Sequence, residues 1–112
     1  MKLIIAGGRD YSLTPADIVR LNSIGNVTEV VSGGATGVDA AGERWGRSKH
    51  LPIQRFNAAW HIHGLRAGPL RNAQMAQYAD AVALFPGGRG TLSMFNEATK
   101  AGIKIYDFRT PT

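Results

Sequence analysis

The chain has 112 residues, enough for one domain with a sizeable core and too few for a second. Hydrophobic residues make up 44% and charged residues 19% without a Pro/Ser-rich or single-charge tract, which excludes a disordered chain, and the absence of cysteine excludes disulfides, thiolate catalysis and cysteine-ligated zinc. The net charge of +5 is carried by nine arginines and four lysines, and the planar arginine fork suits phosphate and carboxylate partners.

In chain order, residues 2–6 form a short β-branched apolar run stopped by Gly7-Gly8, the pattern of a parallel strand buried on both faces. The run is too short for a secretory signal or a membrane span, so a cytoplasmic protein with no membrane partner is expected. Thr14-Pro15-Ala16-Asp17 supplies a cap residue, a proline at the first helical position and an acid three residues after the cap. These predict a helix over residues 15–24, with Ile18, Leu21 and Ile24 facing inward. Residues 29–32 predict a second strand and 33–37 a bend, followed by a helix over 38–49 with Val38, Ala41 and Trp45 inside. A weaker third strand is expected at 53–56, then a longer connection holding Trp60. The next helix is expected over 69–78, with Leu70, Ala73 and Ala76 inward. Residues 81–85 predict strand four, 86–90 a bend, 91–101 the last helix, closed by Gly102, and 103–108 a fifth strand. This alternation predicts an α/β fold, a small Rossmann-like three-layer sandwich around a mainly parallel five-stranded sheet, as a single domain over residues 1–112.

Glycine is the compositional anomaly at 14 residues, against a usual share of about 7%. Three clusters hold more than half of them: Gly7-Gly8, Gly33-Gly34 with Gly37, and Gly87-Gly88 with Gly90. They follow strands one, two and four and so open on the carboxyl edge of the sheet, where such folds bind ligands. Glycine-rich turns into helix N-termini let backbone amides approach an anion, and phosphate is the natural guest. Arg71 falls in the first turn of its predicted helix and Arg89 just before the next, where a cation opposes the helix dipole unless an anion answers it. Arg9 follows the first glycine pair, so three guanidinium groups are expected to converge.

Asp39, in the first turn of the second helix, either favours the helix dipole or accepts a sugar hydroxyl. Asp10 either joins the ligand site or braces its own turn. Trp60 either stacks on a nucleobase or covers the edge of the core. His61 and His63 lack a carboxylate companion, so neither a metal nor a cofactor is assigned. There is no P-loop signature, no full G-x-G-x-x-G and no G-x-S-x-G nucleophile elbow.

"GGRDY" (7–11), "VVSGGATGVDAAGERWG" (30–46), "AGPLRNAQM" (67–75) and "FPGGRGT" (85–91) together resemble the small bacterial and phage proteins named after YspA. That family belongs to the SLOG superfamily, with the LOG phosphoribohydrolases and the DNA-processing protein DprA. The resemblance implies a Rossmann-like fold and a pocket for a nucleotide or a nucleotide-derived ligand. It brings Thr36, Asn72, Pro86 and Thr91 into the candidate set. LOG enzymes carry a P-G-G-x-G-T-x-x-E signature; here Pro86 to Thr91 match, but the glutamate position is Met94, which can neither stabilise an oxocarbenium-like centre nor activate water. Arg71 resembles the arginine that LOG enzymes place near phosphate or ribose. The reading favoured from sequence is a nucleotide-ligand binder acting as a sensor or sequestering module. A glycosidic-bond hydrolase of nucleoside monophosphates, using Asp39 or Glu97 with Arg71, is the alternative. Single-stranded DNA binding in the manner of DprA comes third, because Trp60 stands nearly alone as an aromatic platform. LOG relatives pair through helices beside the pocket, so a homodimer is expected.

Overall fold

The computed structural model describes residues 1–110. Five strands, β1 (Lys2–Ala6), β2 (Glu29–Ser32), β3 (Ile53–Arg55), β4 (Ala81–Leu84) and β5 (Lys104–Asp107), form one sheet in the order β3-β2-β1-β4-β5, parallel throughout. In register, Leu3 of β1 lies between Val30 of β2 and Ala81 of β4. Because successive strand residues point to opposite faces, the central strands feed two cores. Leu3, Ile5 and Val30 pack with Leu21 of α1 (Pro15–Asn22) and with Val38 and Trp45 of α2 (Val38–Ser48). On the other face Ile4, Val31 and Val82 pack with Met75 of α4 (Ala67–Tyr78) and with Met94 and Ala98 of α5 (Arg89–Ala101). The result is the Rossmann-like α/β sandwich. No helix among the described residues is long and apolar enough to cross a membrane.

Three departures from the sequence pattern bear on function. The connection after β3 contains a four-residue helix α3 (Trp60–His63) and a 3-10 turn (Gly64–Arg66), which run straight into α4, so that helix starts at Ala67. Arg71 is therefore its fifth residue and lies beyond the first turn. The inward face of α4 is also rotated. Leu70 is 40% exposed, whereas Asn72, Met75 and Ala76 are buried. A polar residue takes the inward position because its hydrogen-bonding groups find partners, which an apolar-period reading cannot anticipate. Likewise α5 begins at Arg89, two residues earlier than predicted.

Buried Glu43 of α2 binds the carboxyl ends of two strands together. It accepts from Ser32 Oγ of β2 (2.7 Å) and from Arg55 Nε of β3 (3.0 Å). The Arg55 hydrogen bond, aided by Ser32 and the charge of Arg47, holds the Glu43 carboxyl below the usual range against the opposing effect of burial. Ser32 Oγ in turn accepts the Gly34 N–H at 3.0 Å and shapes the loop after β2.

At α1 the capping box is complete: Asp17 N–H donates to Thr14 Oγ1 (3.1 Å) and Thr14 N–H donates back to Asp17 Oδ2 (3.0 Å). Asp17 also accepts from Tyr11 Oη (2.6 Å) and Arg20 Nη2 (2.7 Å), and Arg20 reaches on to the Phe108 carbonyl. Burial alone would raise the Asp17 pKa, but bonds from Tyr11, Thr14 and Arg20 outweigh it and bring it down from 3.8 to about 2. The folded state is therefore favoured, by about 2 kcal/mol, above the unfolded pKa of 3.8, and this is lost as pH falls through about 2. Asp17→Asn is expected to remove that slope. Denaturant titrations at a series of pH values between 5 and 2 should show a flatter stability profile than the wild type.

Candidate functional site

From β1 the chain builds outward to β2 and β3, then returns across the sheet to place β4 on the other side of β1. A crevice opens where the strand order reverses, beyond the carboxyl ends of β1 and β4. It holds a cavity of about 550 Å³. Ala6, the last residue of β1, lines it with the loop residues Gly7, Gly8 and Arg9. The start of α5 contributes Gly88, Arg89, Gly90 and Thr91, and the next turn adds Ser93 and Met94. Across the reversing connection come Trp60 and Leu65, then Gly68, Arg71, Asn72 and Met75 of α4. Ala35 of the β2–α2 connection and Asp39 of the first turn of α2 also line it.

The three glycine loops do not play equal parts. Gly8 N–H donates to the Pro86 carbonyl (2.9 Å), and the Gly8 carbonyl accepts the Val38 N–H (3.2 Å) that opens α2. Gly37, at φ +71°, stands so close to the Gly8 and Arg9 carbonyls that a side chain could not fit. The N-terminus of α2 is thus closed by the β1 loop, and Gly37 serves backbone contact. Gly87 is equivalent on the other side, pressed against Thr91 Oγ1 and the Gly8 amide. By contrast, a Cβ on Gly88 or Gly90 would meet nothing within 4 Å. The first turn of α5 is the open one. It has no side-chain cap, its first intrahelical bond runs from Leu92 N–H to the Gly88 carbonyl, and among the described residues the amides of Arg89, Gly90 and Thr91 have no partner.

Arg9 and Arg89 are exposed on this lining, and neither makes an ion pair among the described residues. Arg71 is different. Its Nη1 donates to the Gly33 carbonyl (2.7 Å) and its Nε to Asn72 Oδ1 (2.9 Å), so it braces α4 against the β2 loop. Asn72 carries the brace to α5, donating to Ser93 Oγ at 3.2 Å. Arg71 and Asp39 both flank Gly33, where a Cβ would lie 2.5 Å from Arg71 Nη1 and 2.9 Å from Asp39 Oδ2. Burial pushes the Asp39 carboxyl above the usual carboxylate range, against the Ala35 N–H bond (3.2 Å) and the charges of Arg71 and Arg9. Burial likewise lowers the Arg71 pKa, against the attraction of Asp39.

Of the residues singled out in the sequence, the cavity brings together Gly7, Gly8, Arg9 and Asp39 with Trp60, Arg71 and Asn72, and with Gly88 to Thr91. Asp10 and Thr36 are exposed and off the lining. Gly33, Gly34, Gly37, Pro86 and Gly87 also lie off it; they shape the loops beneath. Glu97 is outside the cavity and faces Lys100 Nζ at 3.6 Å, so the carboxylate on the lining is Asp39. Leu65 and Met75 had no signal in the sequence, since a lone apolar side chain reads as core or surface by itself. His61 and His63 are exposed, and no group of three or more metal-ligand side chains occurs among the described residues.

No family model matches the chain, and no solved structure matches it. It is 39% identical over 87 residues to the Gene 61 protein of Mycobacterium phage D29, a match covering 70% of each chain.

The contrast between the two kinds of glycine is directly measurable. Gly87→Ala forces a Cβ onto the Gly8 backbone and Thr91, and is expected to cost on the order of 2–3 kcal/mol in urea unfolding. Gly90→Ala, in a helical turn with open space around it, is expected to leave stability unchanged or raise it by up to about 1 kcal/mol.

Proposed function

The chain belongs to the family of the phage Gene 61 protein, and we propose that it binds a nucleotide or nucleotide-derived phosphorylated ligand in this cavity, as a sensor or sequestering module. The observation that carries this reading is the meeting of Arg9, Arg89 and the uncapped first turn of α5 on one cavity. A guanidinium beside a helix N-terminus opposes the macrodipole by about 0.3–1 kcal/mol, and a phosphoryl group seated between them reverses the sign of both interactions. Gly88 and Gly90 leave those amides approachable. The resemblance of residues 86–91 to the P-G-G-x-G-T part of the LOG signature supports the same ligand class, and the cavity volume falls within the range typical of small-molecule sites. We place the protein in the cytoplasm, and the exposed Ile62, Leu70 and Leu92 on the helices near the cavity support a homodimer.

A hydrolase of the N-glycosidic bond is the second reading, favoured by one observation: Asp39 is a buried carboxylate on the lining with a raised pKa, as a general acid or base requires. Against it, Asp39 is engaged by the Ala35 amide, and Met94 contributes only a thioether.

Thermal-shift measurements with AMP and ADP-ribose test the binder. A ligand at one hundred times its Kd is expected to raise Tm by on the order of 10 °C. Arg9→Ala or Arg89→Ala is expected to weaken binding by roughly tenfold or more without lowering the Tm of the free protein. Absence of any shift with either compound would remove this reading. Chromatography after incubation with AMP is expected to find no free adenine; release that disappears in Asp39→Asn would establish the hydrolase instead.

A further inference from the structure

The cavity lining divides by chain segment. Open amides and free guanidinium groups come from the loops after β1 and β4, while residues 60–75 bring Trp60, Leu65, Pro69 and Met75. The cation on that second side, Arg71, is already tied to Gly33 and Asn72. A ligand filling the cavity therefore meets charge from one set of elements and hydrocarbon from the other.

Two of the apolar side chains are out of place by burial. Trp60 is 47% exposed and Leu65 is 92% exposed, and neither α3 nor the 3-10 turn buries any residue. The indole nevertheless has a seat. A Cβ on Gly68 would stand 3.3 Å from Trp60 Cη2, so the bare glycine of α4 lets the ring rest against the helix with nearly half of its surface free. A large aromatic surface held against a helix, left open and lining a cavity is the arrangement of a stacking platform.

We infer that Trp60, with Leu65 beside it, is the surface on which the flat heterocycle of the ligand stacks, and that this contact separates nucleotides from other phosphorylated small molecules. The inference rests on the proposed anion site for the other end of the ligand. Stacking needs only a π face, so the platform accepts any base, and purines gain most because they cover more of the indole.

The test is calorimetric titration of the intact protein with AMP, adenosine, ribose 5-phosphate and inorganic pyrophosphate, repeated with Trp60→Ala and Trp60→Phe. AMP is expected to bind roughly tenfold or more tightly than ribose 5-phosphate. Trp60→Ala is expected to bring AMP down to the level of ribose 5-phosphate while leaving the latter unchanged, and Trp60→Phe to restore most of the difference. In a Trp45→Phe background, where Trp60 is the remaining tryptophan, AMP should change the emission and ribose 5-phosphate should not. Equal affinity for AMP and ribose 5-phosphate, or equal weakening of both by Trp60→Ala, overturns the platform and leaves the anion site standing. Adenosine binding as tightly as AMP, and lost in Trp60→Ala, upholds the platform and removes the anion site. Failure of all four compounds to bind overturns both.

Discussion

Three loops at the carboxyl edge of the sheet meet backbone to backbone, and the geometry of the site follows from that contact. Gly8 donates to Pro86 and accepts from Val38, so the loops after β1, β2 and β4 are joined through one residue. With Gly37 and Gly87 filling the remaining space as bare backbone, the three turns sit at the closest approach that a main chain allows. Arg9 follows this junction on one side and Arg89 on the other, and their charges are set around a common cavity by main-chain geometry before any side chain is placed.

Buried polar groups then fix the walls. Glu43 holds β2 to β3 through Ser32 and Arg55, Arg71 holds α4 to the β2 loop, and Asn72 holds α4 to α5. Each is a group that would be costly to bury alone and that is instead bonded to a different element. Asp39 shows the balance most clearly. Burial, with the nearby charge of Glu43, opposes its ionisation and outweighs the Ala35 amide and the two guanidinium groups that favour it, so its pKa is raised.

The sequence made the strands and the layers legible because short β-branched runs between glycine turns leave few alternatives. The capping box at Thr14 was equally plain, since cap, proline and acid each do their local work independently of the rest of the fold. The site was half legible. Glycine after a strand signals a tight turn, but the letters do not say whether the missing Cβ leaves open space on the cavity side, as at Gly88 and Gly90, or makes room for another loop, as at Gly37 and Gly87. Only the packing of loops distant in sequence decides. For the same reason the apolar period put Leu70 and not Asn72 on the inward face of α4: the side-chain and carbonyl groups to which Asn72 donates lie on α5. The α3 segment carries no cap and no apolar period of its own, and it follows the contacts of its neighbours.

The pairing of β1 with β4 joins segments far apart in the chain, with Lys2 N–H bonded to Asp80 Oδ2, 78 residues away, beside it. Contacts of such long sequence reach are slow to form, because the entropy of a large loop must be overcome before they are rewarded. The cavity lies at this seam, so no partly folded intermediate that lacks the seam contains it. A compound that occupies it recognises finished molecules alone and draws the chain toward completion by mass action.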